Sequence, residues 1–461
     1  MINLPTPVNE IIDTLRQHGF EAYAVGGCVR DSLLGREPED WDVTTSARPE
    51  QVKEIFPVTI DTGIEHGTVT VRLNKTSYEV TTFRIDGKYS DHRRPDEVSF
   101  ARTLQEDLLR RDFTINAMAA GGDEPDGKSG IIDLYGGLAD LDAGIIRCVG
   151  VPEERFNEDA LRILRVFRFA AQLGFDIEPA TRDAIAATRE GLRAISAERI
   201  QVEMTKILIS DRPGILRDMC ELGVTAIILP ELDQMMATEQ NNRHHVWTVG
   251  EHTIRSLEAL AGMTNNSLAG SKAIRWAMLL HDTGKPQCKT VEEDGQDHFK
   301  GHALISADIA REVMNRMKMD NATRDTVVRL VKYHDYRMPS EKKNVRRALA
   351  KIGRDYFPGY CIVRRADVLA QSEYVRAEKL ENLDAIEALY AEIIAEDECV
   401  SLDQLAVTGR DLIEEGLEPG PAIGDALAML LSRVIEDPSL NNKETLLAIW
   451  RDNMEVSSEI R

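Results

Sequence analysis

The chain has 461 residues, and 56 Lys and Arg stand against 78 Asp and Glu for a formal charge of −22. That length exceeds one hydrophobic core and implies two to four domains, while the lack of about 18 consecutive apolar residues or of a basic-then-apolar signal order excludes membrane-spanning and secreted classes and leaves a soluble cytoplasmic protein with no membrane contact as the expectation. Six dispersed cysteines without a CxxC pair exclude a zinc knuckle or disulfide framework, and the acidic balance confines nucleic-acid contacts to local basic runs: residues 84–94, Arg110 with Arg111, Arg162 to Arg168, and Lys342, Lys343, Arg346 and Arg347.

Up to about residue 150, strand-like runs (AYAVGG, GTVTVRL, SYEVTTFRI) alternate with short helical patterns, so a region of mixed strands and helices is expected. Within it, VGGCVRDSLLGREPEDWDVTT sets Gly26, Gly27 and Arg30 ahead of a helical turn, with a D-x-D ten residues beyond the arginine. Residues two apart in a strand face one side, so Asp40 and Asp42 should present both carboxylates together, able to hold Mg²⁺ ions about 3.5 to 4 Å apart. The glycines let a triphosphate approach the backbone, the helix they open favours an anion, and Arg30 adds charge. Glu79 is the candidate third carboxylate, or else an ordinary edge-strand charge. The run GG-x-VRD followed by D-x-D resembles the opening signature of the class II polymerase-β-type nucleotidyltransferases, the branch that holds CCA-adding enzymes and bacterial poly(A) polymerases.

Residues 86–107 have the polar, Gly- and Pro-bearing composition of a mobile loop. Family members able to add the terminal A have such a loop, and CC-only members a shortened one. RRDFTINAMA then resembles the family's ribose-recognising motif, which implies nucleotide-binding roles for Arg110, Arg111, Asp112 and Asn116. Guanidinium groups suit phosphate oxygens, and a carboxylate or amide can hold a 2'-hydroxyl. The same block also reads as a basic helix start capped by Asp112. DLYGGLADLDAGIIR, around Asp133, Gly137 and Arg147, resembles the family's hinge motif.

From Asn157 onward the apolar spacing is helical nearly to the end, with breaks expected at 211–214, 262–270, 292–297 and 418–424. In RFNEDALRILRVFRF, Asp159 and Arg162 lie three apart and are expected on one helical face. There a carboxylate would accept from the amino group of cytosine or adenine and an arginine would donate to the adjacent ring nitrogen, whereas uracil and guanine set a carbonyl against the carboxylate. Alternatively this is an acidic first turn with a Glu158 to Arg162 surface pair. EDxxRxxRxxRF resembles the nucleotide-selecting motif of CCA-adding enzymes, which implies that Asp159 and Arg162 choose the base and adds Arg165 and Arg168 to the nucleotide site.

Residues 245–370 contain WAMLLHDTGKP, FKGH, YHD and RRADVLAQS, a pattern that resembles an HD phosphohydrolase domain. The resemblance implies His252, His281, Asp282 and Asp367 as ligands of one divalent metal (Mg, Mn, Fe or Ni), with His302 and His334 available to a second. VTGRDLIEEGLEPGPAIG resembles a C-terminal tRNA-binding region and reads equally as a packing turn.

Together these imply an α+β protein: a small mixed-sheet nucleotidyltransferase head (1–135), then a helical neck (136–235), an HD-type helical body (236–375) and a helical tRNA-binding tail (376–461). The implied activity is addition of CCA to tRNA from CTP and ATP with Mg²⁺. Addition of A alone, to tRNA or as a poly(A) polymerase, and a metal phosphohydrolase with a decayed head are the alternatives, and the oligomeric state is left open.

Overall fold

Alternation along three strands separates a core face from a chemistry face in the sheet of the first unit. In β2 (Asp42–Thr45), β4 (Thr68–Leu73) and β5 (Thr76–Thr82), Val43, Val69, Val71, Tyr78 and Val80 enter one hydrophobic cluster with Val8, Ile11, Ile12 and Leu15 of α1 (Thr6–Gln17). The intervening Asp42, Thr44, Thr70, Glu79 and Thr81 point to the other face, as the period of two requires. The seven-stranded sheet runs β3-β4-β5-β2-β1-β8-β9, where β1 is Ala22–Val25, β3 Thr59–Gly63, β8 Met118–Ala120 and β9 Ile131–Asp133. It is mixed: β2 and β5 pair in parallel and its other pairs are antiparallel.

Residues 2–64, 67–86, 98–121, 130–244, 246–293 and 295–459 are described by the structure, a computed structural model. Helices α2 (Gly27–Leu33) and α3 (Pro49–Ile55) connect the early strands, and β6 (Arg84–Asp86) pairs with β7 (Val98–Phe100). Of the segment expected to be a loop, residues 87–97 lie outside the described residues. Its C-terminal part is ordered instead: β7 leads into α4 (Leu104–Leu109), which starts on a capping box between Thr103 and Glu106.

Beyond the head, α5 (Gly137–Ala143) starts where Asp133 accepts the backbone N–H groups of Gly137 and Leu138 at 2.8 and 2.9 Å. The parallel pair β10 (Ile145–Ile146) and β11 (Asp176–Ile177) brackets α6 (Pro152–Glu158) and α7 (Leu161–Leu173), and α8 (Pro179–Thr188), α9 (Ala197–Leu208), α10 (Leu216–Glu221) and α11 (Thr225–Ile228) complete the unit. The chain divides into two compact units, 1–230 and 231–461.

The second unit is built on α12 (Pro230–Met236), α13 (Val249–Gly262), α14 (Lys272–Leu280), α15 (Lys285–Cys288), α16 (His302–Arg316), α17 (Asn321–Tyr333), α18 (Lys342–Ile352), α19 (Phe357–Ala370) and α20 (Arg376–Ala395). A short hairpin of β12 (Thr290–Val291) and β13 (Asp297–His298) interrupts them. Helices α13, α14, α17 and α19 pack together around the fully buried Trp276 and Tyr360. The closing helices α21 (Gly409–Glu414), α22 (Pro421–Glu436) and α23 (Lys443–Glu459) share a separate cluster of Leu412, Leu430, Val434, Leu446 and Trp450. Among the described residues no helix is long and apolar enough to cross a membrane.

Candidate active site

The chemistry face of the sheet borders a cleft of about 850 Å³ lined by Gly26, Gly27, Arg30, Asp40, Asp42, Arg111, Asp112, Asn116, Arg165 and Arg168, among others. The D-x-D is not wholly within a strand as expected: β2 begins at Asp42, and Asp40 belongs to the preceding loop. Both nevertheless line the cleft. Asp42 pairs in register with Glu79 across the parallel β2–β5 ladder, which sends both carboxylates to one face. Glu79 is not one of the lining residues. Protein crowding around the Asp42 carboxylate, then the charges of Glu79 and Asp40, push its pKa up to about 6 against the opposing pull of Arg111. A carboxylate whose ionisation is opposed by two neighbouring acids marks a site whose charge a divalent cation offsets.

The arginines facing these acids are held by buried and half-buried partners. Arg30 donates to Asn116 Oδ1 at 2.6 Å and to both oxygens of Asp31 at 2.8 Å. Asp107 was not singled out in the sequence, yet it is fully buried and accepts from Arg110 at 2.8 Å and from Arg111 at 3.4 Å. It also accepts from Thr44 Oγ1 at 3.1 Å, which ties these arginines to β2. Burial alone would raise its pKa, but the two guanidinium groups outweigh burial and hold it below the ordinary value. Asp112 accepts from Asn116 Nδ2 at 3.2 Å and from Arg165 at 2.6 Å, and Arg165 keeps its pKa at about 2 in spite of burial. Asp112 thus acts as the anchor of Arg165. Arg110 turns towards Asp107 and does not line the cleft.

Asp159 and Arg162, expected to select the base, depart from their expected geometry. The helix breaks at Asp159, whose backbone is extended (φ −142°, ψ 101°), so Asp159 and Arg162 do not share a helical face. Asp159 accepts from Arg199 at 2.7 Å and from the Leu161 N–H at 3.1 Å. Arg162 donates to Glu158 at 2.5 Å and to the Arg110 carbonyl at 2.9 Å. Neither lines the cleft. The basic run on α18 is likewise committed to acids: Lys342 to Glu396 and Glu398, Lys343 to Glu341, Arg346 to Glu398, and Arg347 to Glu436.

In the second unit, six side chains from five segments converge. His252 comes from α13, His281 and Asp282 follow α14, His302 opens α16, His334 follows α17, and Asp367 lies on α19. His252, His281 and Asp282 form one possible metal-binding group, and Asp282, His302 and His334 a second. Asp367 accepts from His252 Nε2 at 3.0 Å. The Nδ1 atoms of His281, His302 and His334 each lie 2.7 or 2.8 Å from a backbone carbonyl, which can only accept. Nδ1 therefore carries the proton, and in the neutral ring Nε2 holds a lone pair. Burial holds the pKa of His302 down at about 4, and its Nε2 lies 3.1 Å from that of His334. Two such lone pairs facing each other repel, and a cation between them removes the conflict, as in metal sites whose histidines are oriented through Nδ1. Asp282 is held well below the usual carboxylate range because His281 and Lys285 outweigh its burial. It therefore stays ionised and available to both groups as a ligand. Lys285, which sequence reading passed over, lies 2.7 Å from Asp282 Oδ2, and its place in HDTGK was the available signal.

Known proteins resemble this chain over nearly all of its length. Residues 22–147 match the Poly A polymerase head domain family, 174–236 the probable RNA and SrmB-binding site of polymerase A, and 302–450 a putative tRNA nucleotidyltransferase domain 2. The CCA-adding enzyme of Lactiplantibacillus plantarum is 35% identical over 445 residues, 96% of this chain and 94% of its own. That of Streptococcus suis is 34% identical over 463 residues, 98% of each chain. The chain belongs to the class II CCA-adding enzymes. A crystal structure of the Bacillus stearothermophilus CCA-adding enzyme in complex with CTP superimposes with a TM-score of 0.75 at 30% identity, over 99% of this chain and 100% of that one.

As a class II nucleotidyltransferase, the chain depends on a divalent metal, and the three carboxylates of the head fit one. Gly26 shows how closely this family's opening motif is packed: its φ is +87°, and an added Cβ would stand 2.9 Å from Arg111 Nη1. Gly26→Ala is expected to cost about 1 to 3 kcal/mol of stability, because at ψ −132° this positive-φ backbone is one that glycine alone adopts readily. Displacement of Arg111 should raise the KM for CTP about tenfold, the scale of one charged hydrogen bond. Thermal melting and initial rates check the two effects separately.

Proposed function

We propose that the chain adds or repairs the 3'-terminal CCA of tRNA from CTP and ATP without a nucleic-acid template. The observation that carries this reading is the in-register pairing of Asp42 with Glu79 beside Asp40, at a cleft lined by Arg30, Arg111, Arg165 and Arg168. In the proposed reaction the tRNA 3'-hydroxyl attacks the α-phosphate of the nucleotide and pyrophosphate leaves. Mg²⁺ held by Asp40 and Asp42 would activate that hydroxyl and offset charge on the leaving group, with Glu79 supporting the pair. Gly26 and Gly27 keep the backbone open to the triphosphate, and Arg30, Arg111, Arg165 and Arg168 supply positive charge around it. Asn116 and Asp112 face the ribose, and Arg110 holds the block in place through Asp107. Asp159 and Arg162 choose the base by exchanging their contacts with Arg199 and Glu158 for its amino group and ring nitrogen. In this reading the four-part division into head (1–135), neck (136–235), body (236–375) and tail (376–461) places the chemistry in the head and neck and gives the tail to tRNA.

The test supplies CTP and ATP singly and together to tRNA lacking CCA, tRNA lacking only the terminal A, and a generic RNA. C addition to the first, A addition to the second and no extension of the third is the expected pattern. Incorporation of A alone would sink CCA addition in favour of an A-adding enzyme or a poly(A) polymerase.

A second activity is favoured by the two groups that share Asp282: hydrolysis of phosphate esters in the second unit. There His252, His281, Asp282 and Asp367 would hold one divalent metal (Mg, Mn, Fe or Ni), and His302 and His334 a second alongside Asp282. Bound metal would supply a water of lowered pKa as nucleophile.

A further inference from the structure

Three of the arginines lining the cleft are gathered around a single ring. Phe169, on α7, is 5% exposed and lines the same cleft. Its centroid lies 4.2 Å from the guanidinium carbon of Arg168, 4.9 Å from that of Arg30 and 5.4 Å from that of Arg165. Phe113 meets the ring edge-on, with centroids 5.7 Å apart and planes at 82°, and fixes its orientation.

Three cations this close repel one another. Burial first, and then Arg165 and Arg30, bring the pKa of Arg168 down to about 10. Among the described residues each arginine is ion-paired with one acid, Asp31, Asp112 or Glu203, on elements far apart in the chain. What the three share is one aromatic ring, whose π-system attracts guanidinium groups. An aliphatic side chain would occupy similar space without that attraction.

We propose that Phe169 is a positioning residue for nucleotide binding: its ring holds Arg30, Arg165 and Arg168 as one cationic cradle for the triphosphate. The inference rests on the cleft being the site of CTP and ATP. Each guanidinium has five N–H donors, more than its one carboxylate engages, so the ring sets affinity for the polyphosphate by holding the remaining donors together.

The experiment measures binding of CTP and of inorganic tripolyphosphate by calorimetry, and steady-state kinetics, for the full-length wild type, Phe169→Leu, Phe169→Met and Phe169→Tyr. Leu and Met should weaken both ligands about tenfold and raise the KM for CTP and ATP more than they lower kcat. Tyr, which keeps the ring, should stay within about threefold of wild type. The proposal is overturned if Leu and Met bind tripolyphosphate as tightly as wild type, if Tyr loses as much as they do, if the loss falls on kcat alone, or if neither Leu nor Met folds, because the ring is then only core. A wild type that binds neither ligand would overturn the nucleotide reading itself, and this inference with it.

Discussion

Asp40→Ala and Asp42→Ala are each expected to lower CTP incorporation into tRNA by on the order of a thousandfold or more, about 4 kcal/mol of transition-state stabilisation, without loss of fold. Asp42 predicts the sign of the stability change. Its pKa is raised to about 6, first by the protein crowded around its carboxylate and then by Glu79 and Asp40, from an ordinary 3.8. The native state therefore favours the protonated acid, so this group's stabilisation is present below about pH 4 and lost as pH rises through about 6. Removing it should raise the melting temperature of the metal-free protein at pH 8, where an incidental surface acid would change little. Magnesium competes with the same proton, so at fixed subsaturating Mg²⁺ the rate should fall below about pH 6 by up to tenfold per unit and recover when Mg²⁺ is increased. An Asp42→Ala enzyme that still incorporated CTP would remove the basis of the two-metal reading.

The parts of this site that sequence made legible are those whose geometry is local. Period two in GTVTVRL and SYEVTTFRI located β4 and β5, and with them the face that carries Glu79. The spacing of GG-x-VRD, D-x-D and RRDFTINAMA named residues that share one cleft. What the sequence did not show is set by partners distant in the chain. Asp159 was read as helical because EDALRILR has unbroken helical spacing. Its carboxylate is instead paired with Arg199, and its backbone leaves the helix between α6 and α7. The α18 basic run looked available to RNA because its acids, Glu396, Glu398 and Glu436, arrive from other segments. Asp107 fell inside a segment whose composition suggested a loop. A capping box and two arginines make it a buried part of the site.

The histidine cluster could be recognised in the sequence because two His-Asp pairs, His281–Asp282 and His334–Asp335, stand just past helices with further histidines nearby, but that Asp282 belongs to both possible metal-binding groups became visible only in three dimensions. This makes Asp282→Asn the most severe single change available to the second unit. Mn²⁺ titrated calorimetrically into a chain already carrying Asp40→Ala and Asp42→Ala reports that unit alone. There Asp282→Asn is expected to weaken binding by more than about 100-fold, above the range for disturbing residues that merely orient ligands. Asparagine preserves volume but withdraws the charge that His281 and Lys285 face in a buried site, so a stability loss of about 3 to 5 kcal/mol accompanies it. His302→Ala should spare the group of His252, His281 and Asp282 and remove about half of the bound metal. In the otherwise unaltered chain both variants should add nucleotides to tRNA at close to the wild-type rate, because the carboxylates proposed for transfer lie in the first unit. Loss of nucleotide addition from Asp282→Asn with its fold intact would show that the two chemistries are not separable and would overturn their assignment to different units.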